Sequence, residues 1–302
     1  MQTFLPYADF EASMAVLDSP RLGKQRVETL QICRALALPD YGWSNHPAVV
    51  MWRGRLPALV LYGLVCVAHW RSRGHADSTE PLITEFAPEV AGLDQGGLRR
   101  QGWLPSWVGD ERLHSSHRSA LLRKDPARYR PVFGDEPDDQ PYFWPAPDSG
   151  AAGRPEDAQE PETGRRVWVV RPANAGVLGR FLTDGVVGMG VTSGLDVDLT
   201  GVAADEVRAV LREVAPGRRP GKQLRQLTTF LHEVALGDEV AVPVQGERAL
   251  LVGTVTGDYT FAAAEPSHRR TVRWHAVVPR EDVRPAAALQ DPRELFAVRL
   301  VT

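Results

Sequence analysis

The chain has 302 residues, 43% of them apolar and 24% charged, with a formal net charge of −3 and a pI near 6.3. Such values describe an ordinary soluble globular protein with room for two domains, and they exclude a uniformly basic nucleic-acid binder. Local basic patches stay open, because a phosphate responds to the nearby field and not to the whole-chain average. The two cysteines, Cys33 and Cys66, lie in apolar helical patterns. They are expected as packed thiols of a reducing compartment, without a disulfide framework or a zinc site. The opening "MQTFLPYADFEAS" has no basic n-region, and "LPALVLYGLVCVAHW" is too short to cross a bilayer, so a cytoplasmic location is expected.

In chain order, the first clear element is "VLDSPRLGKQRVETLQICRAL", residues 16–36. Asp18 or Ser19 suits an N-cap and Pro20 the first helical turn, with Leu22, Val27, Leu30, Cys33 and Leu36 expected on one buried face. A second helical region is predicted from about Pro47 to Arg73, interrupted at Pro57 and closed by Gly74. A third covers "DERLHSSHRSALLRKDPARY". From Asp135 to Glu162 there are nine acids against the single cation Arg154, rich in Pro and Gly and without periodicity. That stretch reads as a linker over residues 146–164, with "PYFWP" just before it packing back on the first domain through its aromatics. Beyond it, "RRVWVVRP", "GVVGMGV", "DEVAVPV", "ALLVGTVTGDYTF" and "RTVRWHAVVP" are short β-branched runs bounded by turns, with helical stretches near 203–215 and 221–235. The expectation is a two-domain α+β protein: an all-α domain over 1–145, the linker, and a mixed β-barrel domain over 165–302.

Charge is concentrated in the first part. Between Arg99 and Arg130 eight Lys or Arg stand against three acids, and Arg21, Lys24, Arg26, Arg53 and Arg55 add to them. His114, His117 and Arg118 share a helical surface by spacing. Cations interleaved with Trp103, Trp107 and Tyr129 suit a phosphate backbone and unstacked bases, although any one of them also suits a solvated helix face. There is no HExxH and no CxxC, so neither metal nor organic cofactor is expected.

The blocks "RLGKQRVETLQI", "NHPAVVMWRGRLPALVLYGLVCVAHWRSRGHA" and "LHSSHRSALLRKDP" resemble the pyrimidine-dimer DNA glycosylases, endonuclease V-type, in their bacterial branch, over roughly residues 1–145. The resemblance implies an all-helical domain that flips a nucleotide and attacks the sugar C1′ with the N-terminal amine, supported by a carboxylate on the first helix. Carried over, the catalytic candidates are Asp18, then Glu28, and the amine of Met1. Double-stranded DNA would be held by Arg21, Lys24, Gln25, Arg26, His46, Arg53, His114, His117, Arg118, Arg123 and Lys124. Gln2 departs from the small second residue that favours methionine removal, which points to water as the nucleophile and puts strand nicking in doubt. Residues 165–284 resemble the N-terminal module of Mrr-type restriction enzymes and the EVE/PUA-like barrels that accept a modified base. That resemblance implies a reader pocket of Trp168, Tyr259 and Trp274 with His268, Arg269 and Arg270 on phosphate, and it places Val191 where an aromatic often stands. Together the two halves imply a glycosylase that removes a modified pyrimidine, such as glucosylated hydroxymethylcytosine, from phage DNA. Repair of ultraviolet dimers and a non-catalytic DNA or RNA reader are the alternatives.

Overall fold

Asp18 starts the first long helix. Its backbone is extended, its side chain accepts from the Arg21 N–H, and Pro20 sits in the first turn, so the chain turns sharply into α2. The computed structural model describes residues 1–39, 41–148, 164–189, 197–214, 221–244 and 246–301; Val191 and most of the expected linker, 149–163, lie outside the described residues. The chain divides into two units, Met1–Gln159 and Glu160–Thr302.

The first unit is helical. It contains α1 (Phe10–Val16), α2 (Ser19–Ala37), α3 (Pro47–Val50), α4 (Leu56–Ser72), α5 (Glu80–Thr84), α6 (Gln95–Arg100), α7 (Glu111–Lys124) and α8 (Pro126–Phe133). α4 is apolar around most of its circumference, with Ala58, Leu59, Val60, Leu61, Tyr62, Gly63, Cys66 and Val67 all buried, which identifies it as the central helix. α2 packs tightly against it: a Cβ built on Gly63 would stand 2.7 Å from the Thr29 Cγ2 atom. The buried face of α2 is Leu22, Gln25, Thr29, Leu30, Ile32, Cys33 and Ala35. Val27, expected on that face, is exposed instead, because two polar residues, Gln25 and Thr29, take the inward positions. Both cysteines are buried free thiols, each pushed up by burial. Among the described residues no helix is long and apolar enough to cross a membrane.

The second unit is built on one seven-stranded sheet: β1 (Arg165–Val170), β2 (Val186–Met189), β3 (Glu239–Pro243), β4 (Ala249–Phe261), β5 (His268–Pro279), β6 (Val283–Arg284) and β7 (Leu295–Leu300). The order is β2-β5-β4-β3-β1-β7-β6. The expected barrel is therefore corrected: β2 and β6 end the sheet and do not pair with each other. Strand β1 runs parallel to β3 and antiparallel to β7. Alternate residues face two separate cores. Trp168, Val170, Val240 and Val242 pack with α9 (Ala175–Thr183), α10 (Val207–Val214) and α11 (Gly221–His232), while Val167, Val169, Ala241, Phe296 and Val298 form the other layer. A strand buried on both faces reads as an unbroken apolar run, which is why "VWVV" shows no alternation. α9, which the patterning does not announce, is capped by Asn174, whose side chain accepts from Val177.

Gly63→Ala is expected to destabilise the helical unit by roughly 1–3 kcal/mol through overpacking. Adding Thr29→Ala should restore much of that loss, since it removes the clashing methyl together with a buried hydroxyl that has no partner. Urea unfolding of the two single variants and the double variant measures the coupling.

Candidate active site

The first six residues form no regular element, yet their backbone is fastened on both sides by buried polar side chains. Gln25 Oε1 accepts from the Phe4 N–H at 2.7 Å, and the Tyr62 hydroxyl lies 2.7 Å from the same oxygen and 3.0 Å from the Phe4 carbonyl. The Trp52 indole donates to Thr3 Oγ1 at 3.0 Å. On α7, His114 Nε2 accepts from the Gly109 N–H at 3.0 Å, so its ring proton is on Nδ1 and is donated to the Leu5 carbonyl at 2.8 Å. His117 Nδ1 accepts from the Leu5 N–H at 2.9 Å, and its Nε2 lies 3.2 Å from the Gln2 amide. Arg118 donates to the Pro6 carbonyl at 2.9 Å. Burial, helped by the neighbouring His114, drives the His117 pKa down to about 3, so it stays neutral.

This fastening delivers the chain's start to a carboxylate. The Gln2 N–H donates to Glu28 Oε2 at 3.0 Å, while Glu28 keeps part of its surface open. His46 caps α3 through its Nδ1, which accepts from the Ala48 N–H at 3.1 Å. Burial, and next the positive charge of the amino terminus, lower the His46 pKa against the pull of Glu28, so this imidazole too is neutral near pH 7. Tyr142 and Trp144 complete the surroundings. Trp144 meets His46 edge-on at 6.1 Å, Tyr142 lies 5.4 Å from Trp144 and 6.0 Å from His117, and burial pushes the Tyr142 phenol up, with the Glu28 charge adding to it. The segment carrying them is tied down beyond its aromatics: Asp148 accepts from Arg55 Nε at 2.6 Å and from the Ser106 N–H at 3.2 Å. Packing of "PYFWP" on the helical unit was expected from the sequence; its place beside Glu28 was not. Trp43, in the exposed turn before His46, was missed as well, and the only signal for it was an aromatic inside a Gly-Ser-Asn turn.

The remaining candidates scatter. Asp18 is 8% exposed and fully engaged: besides capping α2 it accepts from the Arg21 guanidinium and from the Tyr129 hydroxyl at 2.9 Å. Burial pushes its carboxyl up, but the hydrogen bonds from Arg21 and Tyr129 outweigh burial and hold it below the ordinary 3.8. Asp18 is thus a helix-start residue by its contacts, and its oxygens do not join Glu28. Gln25, His114 and His117 were expected on DNA; they are 1%, 2% and 0% exposed and cannot meet a phosphate. The expected basic face is largely neutralised within the unit. Arg26 pairs with Asp77 and lies over the Trp70 ring, Arg118 pairs with Glu111 and Glu136, and Arg123 donates to the carbonyls of Asp138 and Gln140. Arg53 braces Ser44 and Asn45. Lys24, one turn before Glu28, and Lys124 are exposed.

In the second unit the expected reader residues are structural. Trp168 is 5% exposed and donates to Asp238 at 3.0 Å, and Trp274 donates to the Phe181 carbonyl at 2.9 Å. Both, with Tyr259, pack into the helix-side core, where Tyr259 OH is 2.8 Å from His268 Nδ1. His268 is 1% exposed, and Arg270, 5% exposed, donates to the Phe230 and Leu231 carbonyls near the end of α11. Neither presents itself to a phosphate. Arg269 is partly buried in β5, paired with Gly188 of β2. Among the described residues no group of three or more His, Cys, Asp or Glu is placed to hold a metal ion.

Two outcomes follow from these environments. The folded Asp18 pKa is lowered, so its stabilisation is complete above pH 3.8 and is lost as pH falls through the folded value. Asp18→Ala should cost about 1–2 kcal/mol at neutral pH, and the gap to the native chain should close in acid, read by urea unfolding. His117 has the opposite protonation chemistry with the same direction. Its neutral folded form loses stability to the unfolded chain as pH falls from 6.5 toward about 3. His117→Asn, which can still accept from Leu5, should be less stable at pH 7 but show a shallower loss below pH 6.5.

Compared with known families, residues 1–81 match the family described as pyrimidine dimer DNA glycosylase, and residues 177–291 match one described as a domain of unknown function (DUF8426). No curated protein and no solved structure matches the chain. The second match does not bear on the expected EVE/PUA-like module. The first match, over residues 1–81, includes Glu28, His46 and the fastened first residues.

Proposed function

We propose that this protein is a DNA N-glycosylase that releases an altered pyrimidine from duplex DNA, with Glu28 as its catalytic carboxylate. The observation that carries the reading is the 3.0 Å bond from the Gln2 N–H to a partly open Glu28, which sets a carboxylate at the start of the chain. Breaking the bond between C1′ and the base nitrogen builds positive charge on the sugar, and a carboxylate fixed at that side stabilises it. With Met1 as the first residue, its α-amine stands one residue from this contact, close enough for its charge to act on His46. The uncharged amine bonds to C1′ as the base departs with the glycosidic electron pair, and Glu28 takes the proton the nitrogen then gives up and passes it to the departing base. The C1′–O4′ bond opens to an imine with a proton going to O4′. Either water then hydrolyses the imine to the free sugar aldehyde and the amine, or loss of a C2′ proton breaks the C3′–O bond and expels the 3′ phosphate. This reading returns the amine to the centre of the chemistry, where Gln2 had favoured water. The family match over residues 1–81 supports pyrimidine chemistry on DNA. Excision of glucosylated hydroxymethylcytosine from phage DNA is the finer form of the proposal, and dimer repair its rival.

The purified chain would be incubated with unmodified, ultraviolet-irradiated and glucosylated phage DNA, with released bases identified by mass spectrometry and covalent adducts trapped by borohydride. Release from the glucosylated DNA alone supports the finer form, and release from irradiated DNA alone supports repair. Glu28→Gln is expected to lower release by about 10²–10⁴-fold while leaving the fold intact. Full activity in Glu28→Gln, or no release from any of the three, would sink the proposal.

A further inference from the structure

Trp43 is anomalous in two respects. It is 66% exposed, the largest side chain so placed among the exposed hydrophobics, and its φ of +73° is the one positive value at a non-glycine position among the described residues. Bulky side chains avoid that region, because Cβ crowds the backbone there. The turn is nonetheless held firmly. The His46 N–H donates to the Trp43 carbonyl at 2.8 Å, and Arg53 donates to the Ser44 carbonyl at 2.9 Å and approaches Asn45 Oδ1 at 3.3 Å. An indole presented to water by a braced, unfavourable backbone contributes little to the core. A surface that bound it would recover the hydrophobic and stacking energy the fold leaves unused.

Its neighbours say what that surface is. The Trp43 ring lies 5.9 Å from His46, His46 lies 6.1 Å from Trp144, Trp144 lies 5.4 Å from Tyr142 and Tyr142 lies 6.0 Å from His117. His117 Nε2 is 3.2 Å from the side-chain amide of Gln2, the residue that bonds Glu28, so a chain of rings connects the exposed turn to the surroundings of Glu28. Exposed Lys24 precedes Glu28 by one helical turn, and the Arg53 guanidinium lies beneath the Trp43 turn. A flat π face on a turn braced by a guanidinium, linked through rings to the surroundings of a carboxylate suited to sugar chemistry, matches an unstacked nucleobase on a phosphate backbone. We propose that Trp43 is the stacking platform for a base displaced from the duplex, holding the nucleotide open while the adjoining sugar meets Glu28. This deepens the excision reading and rests on it for the identity of the partner as DNA.

The test is binding, kept apart from base release. A short duplex with a tetrahydrofuran abasic-site analogue opposite 2-aminopurine cannot be cleaved at a glycosidic bond, and its fluorescence reports where the unpaired base goes. The full chain is expected to bind it and quench the 2-aminopurine relative to the unstacked base. Trp43→Ala should weaken binding by about tenfold and abolish the quenching, whereas Trp43→Phe should stay within about threefold. Trp43→Gly separates stacking from structure. Glycine accepts a positive φ without strain, so this variant should fold at least as well as the native chain, yet bind as poorly as the alanine variant. Native-like binding and quenching in the alanine and glycine variants would overturn the inference, as would failure of the native chain to bind this duplex. Loss of the excision reading alone appears differently: no base is released from any DNA, while the Trp43 dependence of binding persists.

Discussion

The helical unit depends on one constraint: the backbone of residues 2–6 has no secondary structure to satisfy it, so buried side chains must. Gln25, Tyr62, His114, His117 and Arg118 supply partners from α2, α4 and α7, while Trp52, after α3, holds the Thr3 hydroxyl. A buried polar group left without a partner costs about 1–3 kcal/mol, so these positions are coupled and each fixes the others. The arrangement does more than stabilise. It determines where the first backbone nitrogens lie, and hence that Gln2 faces Glu28 and not solvent. Buried histidine and glutamine in this fold hold the chain's first residues in place.

The same economy governs the charges. Arginines that look like a phosphate-binding stripe are spent on carboxylates and carbonyls of their own unit, several of them supplied by the acidic stretch that follows α8. Glu136 meets Arg118, Asp138 meets Arg130, and Asp148 meets Arg55. The acidic stretch after α8 is therefore, in its first part, a structural segment whose carboxylates pair with arginines of the helical unit, with the aromatics Tyr142 and Trp144 between them in sequence. Under the proposed excision reading, recognition of a duplex at this site would lean on aromatic surface and a few cations more than on a broad basic field.

The second unit shows why aromatic residues in a small β domain do not by themselves make a pocket. A sheet covered on one face by α9, α10 and α11 and on the other by a second apolar layer has two cores to fill. Trp168 and Trp274 fill the helix-side one, each with its indole N–H satisfied. Arg270 is drawn inward for a similar reason: the carbonyls near the end of α11 need donors, and a guanidinium offers several.

The start of α2 was written in the sequence, because caps are local: Asp18 before Pro20 acts within one turn. Strands β1 to β5 were equally legible, as β-branched runs between turns, whereas β6 and β7, at the far edge of the sheet, were not read. Glu28 was visible only as the second of two carboxylates. Choosing it over Asp18 required knowing that Tyr129, 111 residues away in sequence, occupies Asp18. The closure of the sheet, the burial of Gln25, His114 and His117, and the pairing of the arginines were equally out of reach. Each depends on partners brought from distant segments, and spacing along a chain carries no record of which segment will arrive. The sequence by itself determined the longest helices, the strands β1 to β5 and the kind of chemistry to look for. Only the tertiary structure decided which polar residues the fold consumes and which it leaves open for function, because burial and partnership are properties of packing.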